Sequence, residues 1–130
     1  MSSARLSDVS VLVVEDDPAN ARMLAALCAS EGARVHIAHN ATEALQVLES
    51  AIPQVAIVDL ILPEMSGLVL VQLLKSRPAT AGIVTIATSI INGPDLERLA
   101  VQIGCAAFVP KPIDVEKLTA LIVTNLKNTE

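Results

Sequence analysis

Apolar residues fall in five short runs along the chain, separated by stretches in which they recur at helical spacing. Val9 to Val14 reads as a first strand, rich in β-branched residues and ended by Glu15, Asp16 and Asp17. Pro18 follows where a first helical turn tolerates it, and Leu24, Leu27 and Cys28 form a helical stripe closed by Gly32. Arg34 to Ala38 is a second strand, and Asn40 a good N-cap for a helix carrying Ala44, Leu45, Val47 and Leu48. Gln54 to Val58 is a third strand ending at Asp59. The loop from Leu60 to Gly67, framed by Pro63 and Gly67, leads into a helix with Leu70, Leu73 and Leu74 on one face. Ile83 to Ala87 is a fourth strand ending at Thr88. Asn92, Gly93, Pro94 and Asp95 open a helix with the stripe Leu96, Leu99, Ala100 and Ile103, stopped by Gly104. Ala106 to Val109 is a fifth strand leading to Lys111 and Pro112, and a last helix shows Val115, Leu118, Leu121, Ile122 and Leu126.

Strict alternation of strand and helix predicts a parallel sheet covered on both faces. Right-handed crossovers place helices on both sides only if the strand order reverses once. The expectation is a three-layer α/β domain. At 130 residues there is room for one such domain and not two. With 52% hydrophobic residues and a single aromatic, Phe108, the core must be aliphatic and can form without disulfides or a structural metal.

Charge and motifs exclude several functions. The net charge is -5 and no Lys/Arg cluster occurs, which disfavours a nucleic-acid surface. Cys28 and Cys105 are far apart and read as reduced, buried thiols. The opening MSSARLSDVS lacks the apolar run of a signal peptide, and the longest apolar run, near Val55 to Leu62, is broken by Asp59. A cytoplasmic protein that neither enters a membrane nor binds nucleic acid is expected. His36 and His39 are spaced for opposite faces of a strand, which argues against a shared metal site.

The chemistry collects at strand ends. In open α/β sheets, ligands sit outside the carboxyl ends of the strands, near the point where strand order reverses. Strand one ends in Glu15 and Asp16, strand three in Asp59, strand four in Thr88, and strand five leads to Lys111, whereas strand two ends quietly in Ala38 and His39. Carboxylates packed together need a cation or raised pKa values, and oxygen-only ligands suit Mg²⁺. A lysine and a small hydroxyl beside them would grip phosphoryl oxygens while one carboxylate attacks phosphorus. Taken singly, each feature has a plainer meaning: three acids after a strand can be a solvated turn, Thr88 a strand residue, Lys111 a surface lysine and Phe108 a core residue. Asp17 can cap the helix that starts at Pro18.

Four segments together carry a resemblance: VLVVEDD (Val11 to Asp17), VDLILPEMSGL (Val58 to Leu68), IVTIATS (Ile83 to Ser89) and FVPKPI (Phe108 to Ile113). In this order, each at a strand end, they resemble the receiver domain of two-component response regulators over essentially the whole chain. The resemblance implies a flavodoxin-like fold with five parallel strands in the order 2-1-3-4-5 and five helices. It implies a single receiver domain over residues 1–130, with a core of about 8–127 and no output domain within it, so the chain is expected to be either a stand-alone receiver or a piece cut from a longer protein. It casts Asp59 as phosphoryl acceptor, Asp16, Glu15, Asp59 and the backbone carbonyl of Ile61 as Mg²⁺ ligands, and Thr88 and Lys111 as contacts to the phosphoryl oxygens. Pro112 would follow a cis peptide bond, and Phe108 would be the aromatic that moves with Thr88. The implied partners are a sensor histidine kinase or histidine phosphotransfer protein, and a downstream protein that reads the face of the fourth helix, fifth strand and fifth helix. The chain would be a monomer or weak dimer and a phosphoacceptor rather than an enzyme in its own right.

Some positions depart from that pattern. Ile61 and Ile90, two residues beyond Asp59 and Thr88, are apolar, so neither can hydrogen-bond a water attacking the phosphoryl group. Ser89 stands where Ala is usual, and Phe108 lacks a phenolic hydroxyl. Two other functions compete. A phosphatase of the haloacid-dehalogenase type would need a second acid where Ile61 stands. A receiver-like interaction module that works without phosphorylation is compatible with every residue present.

Overall fold

A computed structural model describes residues 4–128; the predicted domain limits at Met1 and Glu130 lie outside the described residues. The chain alternates β1 (Ser10–Val14), α1 (Pro18–Ser30), β2 (Arg34–Ala38), α2 (Ala41–Ser50), β3 (Val55–Asp59), α3 (Gly67–Ser76), β4 (Val84–Ser89), α4 (Pro94–Gln102), β5 (Ala107–Pro110) and α5 (Val115–Lys127). All strand pairs are parallel, and the sheet order is β2-β1-β3-β4-β5, with its reversal between β1 and β3. This is the expected fold.

Pleating sorts each strand between two cores. Leu12, Val14, Ala56, Val58, Ala87 and Phe108 pack on one face with Ala41 and Ala44 of α2, Leu70 and Val71 of α3, and Ala100 of α4. Val11, Val13, Ile57, Ile86 and Val109 pack on the other with Leu24 and Cys28 of α1 and Leu118 and Ile122 of α5. β3 and β4 are buried along their full length, as interior strands of a parallel sheet must be. β2 is an edge strand, and Arg34 and His36 keep its outer positions polar.

Capping fixes where the helices begin. Asp17 accepts from the Ala19 N–H at 3.2 Å, Asn40 from Glu43 at 2.8 Å, Ser66 from Leu68 at 3.1 Å and Asp114 from Lys117 at 3.1 Å. The pattern-based strand limits shift by one or two residues. Asp59, Thr88, Ser89 and Pro110 belong to their strands, because the ladder continues past the last apolar side chain. The α4 stripe is also shallower than its spacing suggests: Ala100 alone in that helix is buried, while Leu99 is 40% exposed.

Both cysteines are reduced and buried, and burial pushes each thiol up to about 11. At neutral pH a two-unit rise cuts the thiolate fraction roughly 100-fold. The folded protein should therefore react with an aromatic disulfide reagent at least about 100-fold more slowly than the unfolded chain. Fast labelling of either thiol in the native state would contradict this burial.

Candidate functional site

Strand register builds the site. Val14 pairs with Val58, so Glu15 and Asp59 leave neighbouring strands at the same level, and Asp59 itself pairs with Thr88. Ser89 pairs with Pro110, which brings Lys111 to the same rim. Backbone bonds extend the ladders to hold these positions: Glu15 N–H to Ala38 O at 3.0 Å, Leu60 N–H to Thr88 O at 2.9 Å, and Lys111 N–H to Ser89 O at 2.9 Å. The Lys111–Pro112 peptide is cis.

The Lys111 ammonium lies between two buried carboxylates. Its Nζ donates to Glu15 Oε1 at 2.6 Å and to Asp59 Oδ2 at 2.8 Å. Side-chain exposure is only 10% for Lys111, 1% for Glu15 and 6% for Asp59, so water screens these charges weakly. The remaining carboxylate oxygens are held by backbone: Asp59 Oδ1 accepts from the Ile61 N–H at 2.9 Å and Glu15 Oε2 from the Asp17 N–H at 3.1 Å. Burial raises the pKa of Glu15, opposed by its bonds to Lys111 and the Asp17 N–H, with the Asp59 charge adding to the rise. For Lys111, burial lowers the pKa, but hydrogen bonds to Asp59 and Glu15 outweigh it and the net shift is upward.

Asp16 completes the cluster from an exposed position. One carboxylate oxygen from each of Glu15, Asp16 and Asp59 lies within 4.8 Å of the others, the one such grouping of potential metal ligands among the described residues. Three hard oxygen donors at this spacing, one of them open to solvent, fit a divalent cation of the Mg²⁺ type that retains part of its water shell. Asp17 lines the same cleft, while one of its oxygens caps α1.

The cleft occupies about 280 Å³ and is bounded on its apolar side by Ile61 and Ile90, which are 43% and 70% exposed. Of the residues singled out from the sequence, Glu15, Asp16, Asp59, Ile61 and Lys111 are brought together here. Thr88 and Phe108 do not line the cleft. Thr88 is buried beside Asp59 with Val109 as its partner on β5, whereas Phe108 is buried beside Ala87. The two are thus offset by one register position. Ser89 is fully buried, and its hydroxyl accepts from the Ile91 N–H at 3.0 Å, pinning the loop after β4.

Two participants had not been singled out. Asn20 lines the cleft from the first turn of α1. His39 was expected to be chemically quiet, yet its Nδ1 lies 3.2 Å from the Glu15 carbonyl. Nothing in the local sequence pointed to either residue.

An acid–lysine cluster at the reversal point of a doubly wound sheet is the arrangement of a response regulator receiver, and the chain belongs to that family, whose receiver domain matches residues 11–123. Its members are signalling domains of two-component systems. The polar-differentiation response regulator DivK of Brucella anthropi is 33% identical over 90% of this chain and 95% of its own length. An uncharacterised 14.6 kDa protein of Leptolyngbya boryana is 32% identical over 90% of this chain and 89% of its own. The signal receiver domain of a DNA-binding response regulator from Colwellia psychrerythraea superposes with a TM-score of 0.86 at 30% identity, covering 92% of this chain and 99% of that one. Longer relatives match as well, and of those the chain spans between 25% and 50%. No helix among the described residues is long and apolar enough to cross a membrane.

Proposed function

We propose that this protein is a phosphoryl-accepting switch in which Asp59 takes phosphate from the histidine of a sensor kinase or a histidine phosphotransfer protein. The observation that carries this is the Lys111 ammonium bridging Glu15 and Asp59 beside the exposed Asp16 carboxylate. Asp59 Oδ attacks phosphorus, the P–N bond to the donor histidine breaks, and the imidazole departs with its electron pair and takes up a proton. Lys111 stays at the carboxylate and meets the charge arriving on the phosphoryl oxygens. Thr88, the register partner of Asp59 on the next strand, approaches those oxygens once they arrive. Glu15, Asp16, Asp59 and the Ile61 carbonyl would hold Mg²⁺, which when bound supplies positive charge that offsets repulsion between the acids and the phosphoryl group.

Phosphorylation adds about two negative charges at Asp59. In this mechanism Thr88 and the loop pinned by Ser89 follow the new charge, Phe108 repacks, and the face of α4, β5 and α5 changes shape for a downstream protein. The partner must bind the two shapes unequally for a signal to pass. The receiver core spans about residues 8–127, acts in the cytoplasm as a monomer or weak dimer, and does not contact nucleic acid.

Intact mass after incubation with acetyl phosphate, with and without Mg²⁺, tests this. The expected result is a Mg²⁺-dependent gain of one phosphoryl group that Asp59→Asn abolishes. If the wild type gains nothing from acetyl phosphate or from a phosphohistidine donor, the protein is instead an interaction module that works without phosphorylation.

The apolar rim has its own consequence. With Ile61 and Ile90 on the open side, the phosphoryl group lacks two of the positions from which a side chain could orient an attacking water. Replacing Ile90 with Asn or Glu should speed decay of the phosphorylated protein by about tenfold, the worth of one well-placed hydrogen bond. An unchanged half-life in both variants would exclude Ile90 as the brake.

A further inference from the structure

The acidic cleft adjoins a second, larger hollow. That neighbour, of about 380 Å³, is lined by Met23 of α1 and by Pro112 and Ile113 beyond β5, and it shares Asn20, Ile90 and Lys111 with the acidic cleft. Asn20 therefore stands where the charged and apolar halves meet. Within the acidic cleft the other side chains are four carboxylates, one lysine and two isoleucines. The carboxylates would repel an anionic group, the isoleucines can make no hydrogen bond, and Lys111 is already engaged by Glu15 and Asp59. Asn20 is the one uncharged polar side chain in the set. It is half-buried, and its amide both donates and accepts hydrogen bonds.

Phosphoryl transfer is in line, so the leaving group departs from the side of phosphorus opposite Asp59, and the water that later hydrolyses the acyl phosphate attacks from that same side. We propose that Asn20 is the polar contact for this apical group, holding the leaving group during phosphorylation and the attacking water during hydrolysis. The proposal rests on the phosphoacceptor function proposed above. With acetyl phosphate, the Asp59 Oδ–P bond forms, the P–O bond to the acetyl group breaks, and acetate leaves with the electron pair while the Asn20 N–H donates to its oxygen. In hydrolysis, the water oxygen bonds to phosphorus, the P–Oδ pair returns to the Asp59 carboxylate, and the water proton passes to the released phosphate. The Asn20 carbonyl accepts from the water and orients it without taking a proton.

The test uses the full chain, with Asn20→Ala and Asn20→Asp beside the wild type. Acetyl phosphate and phosphoramidate serve as donors, and phosphoprotein is followed by mass. Asn20→Ala should slow both phosphorylation by acetyl phosphate and subsequent decay by about tenfold, with Mg²⁺-dependent thermal stabilisation unchanged. Asn20→Asp should lower the acetyl phosphate to phosphoramidate rate ratio, because the added carboxylate repels departing acetate but not departing ammonia. That ratio is insensitive to a purely structural role, and Asn20→Asp preserves side-chain size should the alanine variant fold poorly. Wild-type decay in Asn20→Ala, or an unchanged donor ratio in Asn20→Asp, overturns the proposal. Absence of phosphorylation in the wild type overturns instead the function on which it rests.

Discussion

Gly67→Ala should lower the melting temperature by about 10 °C and disturb the site without touching any charged residue. Gly67 opens α3 against the end of the strand that carries Asp59, and its N–H donates to Leu60 O at 3.0 Å. A β-carbon there would stand 2.2 Å from the Asp59 carbonyl oxygen, 2.6 Å from Leu60 Cα and 2.9 Å from the Asp59 carbonyl carbon. All three are backbone atoms, so no rotamer change relieves the overlap. Either the first turn of α3 lifts away and opens the core around Leu70 and Val71, or the end of β3 moves and carries Asp59 from Lys111. Overpacking against fixed backbone costs about 3 kcal/mol or more, which for a domain of this size is about 10 °C. Gly82→Ala is the control, since a β-carbon there meets nothing within 4 Å and its backbone is not in the left-handed region. That substitution should leave stability unchanged or raise it slightly. Calorimetric melting of the two variants decides the matter; equal melting temperatures would mean the α3–β3 contact yields easily.

The contrast between Gly67 and Asp59 shows what a sequence can reveal of such a site. Asp59 announces itself as a charge where an apolar strand ends, and Glu15, Asp16 and Lys111 do the same on their strands. Strand–helix alternation was enough to place those ends on one rim, because parallel crossovers leave no other arrangement. The fold and the gathering of these residues were legible for that reason. Contacts that depend on how one element seats against another were not. Asn20 and the His39 contact to the Glu15 carbonyl depend on the exact seating of α1 and of the loop after β2. The shallow burial of α4 is of the same kind: Leu99 repeats at core spacing, but whether a stripe is covered depends on its neighbours. Strand limits slipped at Asp59, Thr88 and Pro110 because ladder hydrogen bonds are made by backbone and ignore side-chain polarity.

Lys111→Met should destabilise the metal-free protein by about 3 kcal/mol at neutral pH, and by much less near pH 4. Methionine keeps the length and apolar stem of the side chain, so the change isolates the ammonium. Its loss leaves Glu15 and Asp59, 1% and 6% exposed, facing each other with no cation between them. Two buried like charges raise each other's pKa, and Glu15 already lies above its ordinary value through burial, even with Lys111 present. A carboxyl whose folded pKa exceeds its unfolded one contributes stability below the unfolded value and loses it as pH rises through the folded value. The deficit of the variant should therefore open as pH climbs from about 4 towards neutrality. In the wild type the Lys111 pKa is itself raised, so its stabilisation is complete below the ordinary lysine range and is lost only at still higher pH. It is thus constant across the window in which the variant weakens. The same electrostatics predicts a gain: Lys111 occupies the field that a divalent cation would share, so Mg²⁺ should stabilise the variant more than the wild type. Under the proposed function, phosphorylation should nevertheless slow, because the charge proposed to meet the phosphoryl oxygens is gone. Melting curves across pH, with and without Mg²⁺, separate these effects. A pH-independent deficit, or weaker Mg²⁺ stabilisation in the variant, would mean that Lys111 acts through packing and not through charge.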